Sequence, residues 1–375
     1  MRTAIVSDLH LGSTSGEDLL RDAGIRGAFL EELDGADRLV LLGDVVELRE
    51  LPLATALELS RPFFEEIGEV MDGRRVVLVP GNHDHRLAEP LLAQQALEGE
   101  PLGLEQRTEP DGEATARIAA WLGGAELQIA YPGIWLRDDV YATHGHYMDC
   151  HLKLPRIECI AAAAVMRAFG PLPAAATPEN YEGMLSPVYG LADGLTQAGL
   201  ARSGIMRQKR PSERAWRTMS GRHHANGRAR RIALRGFVRA GVPAVVWSLN
   251  RLLRADFDAD ISADAISRSG IAAADELARN LGLSAVQTIT GHTHRGGPEG
   301  DEAEWQLPGG GRLHNTGSWV FASAFHRPGT PPGRYWPGTI TWLEDNGPPH
   351  RSRLLLDHPH DQLRAAVAKI AAAIP

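Results

Sequence analysis

Five short clusters of metal-ligating side chains occur in one order along the 375-residue chain. They are Asp8-Leu9-His10, Gly43-Asp44, Gly81-Asn82-His83-Asp84, Thr143-His144-Gly145-His146 and Gly291-His292-Thr293-His294. Carboxylate, imidazole and amide oxygen make a mixed hard and borderline donor set that suits Mn, Fe, Zn or Co better than Ca. It is about what two neighbouring cations need if one carboxylate is shared. Phosphate-ester hydrolysis calls for such a pair, because an anionic phosphorus centre repels anionic nucleophiles. Two cations ~3.5–4 Å apart neutralise phosphate oxygens and acidify an attacking water.

The spacing suggests a division of labour. Asp44, alone at a strand end, is the candidate bridge. Asp8 and His10, at i and i+2 of an extended chain, point to one side and reach one ion. His292 and His294 repeat that spacing, and each is expected at a different ion. Asn82 completes the second ion without adding charge. His83 then points away from the metal, placed to stabilise transition-state charge or to protonate the leaving oxygen. Asp84 is the carboxylate expected to orient it. Any one cluster alone reads as a turn, but five in series after apolar runs do not. His146 reads as a helix-start histidine bonded to backbone, and His85 and the His223-His224 pair as solvent-facing or phosphate-contacting side chains. Cys150 and Cys159, the only cysteines, read as small buried residues rather than a disulfide framework, which points to a reducing compartment.

The elements that must position these groups follow an α/β rhythm. Apolar runs at Thr3 to Ser7, Arg38 to Leu42 and Arg75 to Val79 read as strands, each ending at a ligand cluster. Between them the pattern predicts helices over Glu17 to Leu33 and Arg61 to Met71, the second with Ser60 as N-cap and Pro62 in its first turn. Further strands are predicted at Ala125 to Ala130, Ile134 to Ala142, Val286 to Thr290, Leu313 to Gly317 and Gly338 to Leu343. Leu363, Val367, Ile370 and Ile374 fall at helical spacing and predict a closing helix. Ligands of open α/β sheets gather at the carboxyl ends of strands, where these clusters lie.

Residues 151–284 differ in character: rich in Ala and Arg, without strand rhythm, and expected as helices broken at Pro171, Pro187 and Pro243. Residues 201–255 hold fourteen Lys or Arg against Glu213 alone, on a chain whose net charge is −8. Such a basic insert on an acidic body marks a surface for anions. The first ligand cluster begins within ten residues of Met1, which leaves no room for a signal peptide. Ile157 to Phe169 is too short to span a bilayer and holds Glu158 and Arg167. The expectation is a cytoplasmic protein, with peripheral membrane contact through the basic insert.

The five clusters resemble the motifs of the calcineurin-like metallophosphoesterase superfamily: D-x-H, G-D, G-N-H-D/E, a lone His followed by Gly, and G-H-x-H. All five match in order, and His314-Asn315-Thr316-Gly317-Ser318 is similar to the stretch that often follows the last. The resemblance covers roughly residues 1–152 and 286–345. It implies a four-layer α-β-β-α sandwich with a helical insertion, or cap, between the fourth and fifth motifs. The division expected is a catalytic domain of residues 1–152 and 285–358, a cap of 153–284 and a C-terminal helix of 359–375. It also implies two divalent ions, manganese foremost, with iron or zinc as alternatives. Asp8, His10 and His294 would hold one and Asn82, His144 and His292 the other. Asp44 would bridge them, and His83 would be general acid or charge stabiliser. The substrate implied is a phosphate monoester, diester or pyrophosphate, on a small molecule or a lipid-linked one. The opening Ser7-Asp8-Leu9-His10-Leu11-Gly12 resembles enzymes that cleave lipid-linked nucleotide sugars, although that branch tends to carry Arg where this chain has His83. Nucleic acid is a further candidate, weakened by the few aromatic residues of the insert (Trp216, Phe237, Trp247).

Overall fold

The computed structural model describes residues 1–198, 241–260, 262–300, 302–323, 326 and 328–374. Most of the basic run, with Trp216, Phe237 and the His223-His224 pair, lies outside the described residues.

Strands β1 (Thr3–Val6), β2 (Arg38–Leu42) and β3 (Arg75–Val79) fall where the apolar runs predict them. They pair in parallel with β5 (Glu126–Arg137) in the order β1-β2-β3-β5. Thr3 stands opposite Arg38, Arg38 opposite Arg75, and Arg75 opposite Glu126. That register lines up the carboxyl ends of the first three strands, so the turns after them emerge side by side. Their continuous aliphatic runs are what strands buried on both faces require.

β5 is one twelve-residue strand where two shorter ones were expected at Ala125 to Ala130 and Ile134 to Ala142. Its first half pairs with β3, and its second half pairs antiparallel with β6 (Val140–Thr143). The pairing then continues in parallel through β7 (Gln287–Thr290) and β8 (Arg312–Asn315). At the other edge β1 pairs antiparallel with β9 (Thr339–Leu343), and β9 with β10 (His350–Arg353). A further strand, β4 (Glu105–Thr108), lies antiparallel on β5. The sequence reading missed β4 and β10, whose polar composition (EQRT and HRSR) carries no apolar signal.

Among the described residues the result is a single curled sheet of ten strands. Its alternation separates two cores. Ala4, Val6, Leu39, Leu41, Val76 and Leu78 face the helices α1 (Ala23–Leu33), α2 (Leu53–Val70) and α4 (Glu113–Leu122), where Phe29, Phe63, Phe64 and Ile118 meet them. Ile5, Val40, Leu42, Val77 and Val79 face the other way, into a cluster with Ile134, Val140, Ala142 and Ile289 from the far half of the sheet. Helix α3 (Glu89–Glu98) follows the third ligand turn.

The helical region between the fourth and fifth clusters holds α5 (Ile157–Phe169), α6 (Pro178–Gln197), α7 (Val242–Leu253) and α8 (Ala263–Asn280). Cys159, Ala162, Tyr181, Leu185, Val246 and Leu277 gather there with Tyr147, Met148 and Trp305 in a separate apolar cluster. The C-terminal helix α9 (His360–Ala372) buries Leu363 and Ile370, as their spacing predicts. No helix among the described residues is long and apolar enough to cross a membrane.

Several helix boundaries depart from expectation. Residues 17–33 form a short 3₁₀ turn, Leu19–Arg21, before α1, whose cap is Asp22 accepting from the N–H groups of Gly24 and Ile25. Helix α2 begins at Leu53, two turns before the start expected at Arg61. Ser60 is not its cap: its hydroxyl donates back to the Leu57 carbonyl, and Pro62 sits inside the helix. Burial of Ala56, Leu57, Phe63, Phe64 and Ile67 along one stripe outweighs the one backbone hydrogen bond that Pro62 removes. Pro187 likewise lies within α6, and Pro243 stands in the first turn of α7 as described from Val242 onwards.

Candidate metal centre

Each cluster occupies the turn at the end of a strand. The turns after β1 and β2 extend the parallel pairing: Asp8 N–H donates to Gly43 O (3.0 Å) and His10 N–H to Asp44 O (2.8 Å). Across the sheet Gly291 N–H donates to His144 O (3.0 Å), and His292 N–H donates to Asp8 Oδ2 (3.0 Å). Strands β1 and β7, far apart in sequence, are thereby joined at the site. Asn315, from the stretch after the fifth cluster, donates through Nδ2 to Gly291 O at 2.5 Å and buttresses that turn.

The backbone here is strained. Asp8 (φ 54°), His10 (48°), Asp44 (53°), His292 (65°) and His294 (58°) all adopt left-handed conformations, and Arg254 alone joins them among the described non-glycine residues. Such residues are uncommon, and clusters of them mark functional sites. This corrects the expectation that Asp8 and His10 converge along an extended chain: they converge because both backbones turn left-handed. Close approach also dictates the motif glycines. A Cβ on Gly43 would fall 2.4 Å from the His144 ring, and one on Gly291 would fall 2.5 Å from Asp8 Oδ2.

Three groups of ligand atoms result, each within 4.8 Å of one another: Asp8, His10 and His294; His10, Asp44 and His83; and Asp44, His144 and His292. Asp44 Oδ2 lies 3.6 Å from His10 Nε2 and 3.3 Å from His144 Nε2, between the outer groups. Asn82 Oδ1 is 3.2 Å from His144 Nε2 and 3.1 Å from His292 Nδ1. His294 Nε2 is 3.2 Å from Asp8 Oδ1, a buried oxygen with no hydrogen-bond donor. The structure thus brings together every expected ligand: Asp8, His10, Asp44, Asn82, His144, His292 and His294.

The outer ring atoms fix how these histidines present themselves. His144 Nδ1 lies 2.9 Å from the Leu42 carbonyl, so it carries the proton and Nε2 faces Asp44. His292 Nε2 lies 2.9 Å from Asp149 Oδ1, which turns Nδ1 inwards. His10 Nδ1 lies 2.9 Å from Glu47 Oε2, which turns Nε2 inwards. An imidazole that donates its outer N–H to a carbonyl or carboxylate is the usual partner of a metal ion. Burial of His144 opposes its charge, yet the Asp44 and Asp8 carboxylates raise it to about 10. That is a field for a cation.

Asp84 and His83 differ from expectation. Asp84 does not orient His83: its carboxylate accepts the backbone N–H groups of Gly81 (2.7 Å), Val45 (2.7 Å), Asp44 (3.2 Å) and Val46 (3.3 Å), stapling the second ligand turn to the third. The carboxylate beside His83 is Glu47, whose oxygens lie 2.9 and 2.8 Å from Nδ1. Burial alone would raise Glu47, but the His83 and His10 rings hold it well below the usual carboxylate range. Its position three residues after Asp44 was the available signal. The His83 and His294 side chains are 21% and 24% exposed where the other ligand side chains are at most 3% exposed, so they mark the mouth of the site.

Other histidines lie behind it. His85, expected at the surface, is buried with Nε2 2.9 Å from Glu182 on α6. His146 opens a 3₁₀ turn (His146–Cys150) as expected, but its Nε2 partner is the Tyr131 hydroxyl at 3.1 Å rather than backbone. Cys159 is buried, Cys150 half-buried, and both are free thiols.

Residues 1–162 match the family model of the calcineurin-like phosphoesterases. That stretch, somewhat under half of the chain, is similar to the calcineurin-like phosphoesterases. The match takes in the first four clusters, and the structure adds the fifth by placing His292 and His294 against Asp8 and Asn82. No protein of curated function matches the chain. The phosphoesterase family is one of metal-dependent hydrolases, and the His and Asp groups here could hold metal.

Proposed function

We propose that the protein is a dinuclear metal-dependent phosphoesterase that cleaves a phosphate ester or anhydride with water. The observation that carries this reading is the pair of ligand groups flanking Asp44, each built from left-handed strand-end residues with outward-bonded imidazoles. Asp8, His10 and His294 would hold one divalent ion, Asn82, His144 and His292 the other, and Asp44 would serve both. Manganese fits the donor set, as do iron and zinc. When bound, such ions supply Lewis-acid charge to the phosphate and acidify the attacking water.

The chain's own contribution is positioning and proton transfer. Glu47 holds Nδ1 of His83, so Nε2 is the atom free to face substrate at the mouth. It would donate a proton to the leaving oxygen or a hydrogen bond to the phosphoryl oxygens. In this reading the two halves of the curled sheet are the inner layers of an α-β-β-α arrangement, and residues 153–284 form a cap beside the centre. A second reading, a lipid-linked pyrophosphate as substrate, is favoured by one feature. Phe169, Leu191, Trp247 and Leu252 on the cap helices are 64–80% exposed, an apolar display beside arginines such as Arg251.

Asp44→Ala should abolish metal loading and hydrolysis of bis(p-nitrophenyl) phosphate together. His83→Ala should retain the metal, counted by elemental analysis, and lose turnover by ~10²–10⁴-fold. Full activity in the His83 variant would remove that residue from the reaction.

A further inference from the structure

Behind the His144/His292 flank of the centre, four buried polar atoms have no hydrogen-bond partner among the described residues: Arg49 Nε, His146 Nδ1, Asp149 Oδ2 and Tyr189 Oη. They belong to one neighbourhood. The Arg49 guanidinium lies over the Tyr189 ring, 5.1 Å from its centroid, and the Tyr189 and His146 rings are 5.8 Å apart. His146 is in turn 5.7 Å from His144, and Asp149 holds His292. Nearby arginines already have carboxylates: Arg86 with Asp193 (3.1 Å), Arg156 with Glu158 (3.8 Å) and Arg295 with Glu304 (3.1 Å). The Arg49 guanidinium makes no ion pair and no hydrogen bond among the described residues.

Its backbone is nevertheless fixed. Arg49 N–H donates to Glu47 Oε1 (3.1 Å), and Arg49 O accepts from the Thr196 hydroxyl on α6 (2.7 Å). Glu47 is the carboxylate that holds His83 and His10, so Arg49 stands two residues from the site's own scaffold. A half-buried guanidinium, stacked and pre-set, with the Asp149 and Glu158 carboxylates acting on it only from beyond ion-pair distance, has the chemistry of a phosphoryl-binding fork. A buried polar atom left unpaired by its own chain is completed by water, an ion or a ligand, and an anion satisfies a guanidinium and a hydroxyl together.

We infer that Arg49, held by the Tyr189 ring, is an anion subsite beside the metal centre that receives a second phosphoryl group of the substrate. This rests on the phosphoesterase reading and narrows it to substrates with two linked phosphoryl groups, a phosphoanhydride diester above all. Tyr189 Oη donates to the same group. Asp149 Oδ2 also borders the subsite, and its negative charge is countered by His292, Arg156 and, more weakly, Arg49 itself.

The test compares ligands with one and two phosphorus atoms on the manganese-loaded protein. Calorimetry with inorganic pyrophosphate and inorganic phosphate gives affinities. Turnover of a dinucleoside diphosphate and of bis(p-nitrophenyl) phosphate gives specificity. Arg49→Gln should weaken pyrophosphate about thirtyfold or more relative to phosphate and shift the turnover ratio in the same direction. Arg49→Lys should recover part of the loss, and Tyr189→Phe, which keeps the ring, should show a smaller shift of the same sign. Equal loss for both ligands, or none, would overturn the subsite and show that Arg49 only packs. If no ester or anhydride is hydrolysed yet pyrophosphate binding still depends on Arg49, the subsite stands and the phosphoesterase reading fails.

Discussion

Asp8, His10, Asp44, His292 and His294 hold backbone angles that cost about 1–3 kcal/mol each. The surrounding pairing must overcome that cost before any ion arrives. The hydrogen bonds from Asp8 and His10 to the second turn, and from His292 to Asp8, are what hold it. Residue types were readable in the sequence because chemistry restricts them. Left-handed angles were not, since a D-x-H spacing fits an extended chain equally well. The same limit explains Asp84: adjacency suggested a partnership with His83, whereas its oxygens satisfy four backbone donors in three dimensions. Asp149 carried no sequence signal at all, yet it sets which nitrogen of His292 faces inwards. Asp149→Asn should therefore weaken metal affinity about 10–100-fold, measured by competition with a fluorescent chelator. Unchanged affinity would mean that the His292 ring is held by its strained backbone alone.

Elements were legible where burial writes a pattern: β1, β2 and β3 are apolar throughout and fall where expected. Polar edge strands and proline-containing helices were not, because tertiary burial overrides their local signals. Helix α6 shows what holds the helical region against the sheet. Glu182 accepts hydrogen bonds from His85 (2.9 Å), Tyr147 (2.6 Å), Ser186 (2.5 Å) and Tyr131, using both carboxylate oxygens. Burial opposes its charge, but the His85 bond and its neighbours lower it to about 2. A carboxylate depressed in the folded state stabilises above its unfolded value of 4.5 and loses that contribution as pH falls towards about 2. The depression corresponds to an order of 3 kcal/mol. Glu182→Gln should lower the melting temperature at neutral pH and flatten the pH dependence between those limits, followed by circular dichroism. An unaltered acid limb would show that other carboxylates govern it.

At the scale of the whole molecule, the candidate ligands run from Asp8 to His294 and come from both halves of the sheet, so the centre doubles as a clasp. The fifth cluster returns to the first only because β6, β7 and β8 continue the sheet after the long helical region. An ion at Asp8, His10 and His294 would tie β1 directly to the turn after β7, a link that the unfolded chain cannot reproduce. A ligand that binds only the folded state stabilises it by about 2.7 kcal/mol at a hundredfold excess over its dissociation constant. For a chain of this size that corresponds to a few degrees, roughly 2–4 °C per kcal/mol for a somewhat smaller protein. Stripping the metal with EDTA should therefore lower the melting temperature measurably, and manganese should restore it. Asp44→Ala should show neither response, because the carboxylate proposed to serve both ions is gone. A wild-type melting temperature indifferent to both treatments would mean that the strand-end turns are set by backbone pairing and gain nothing from the cations they surround.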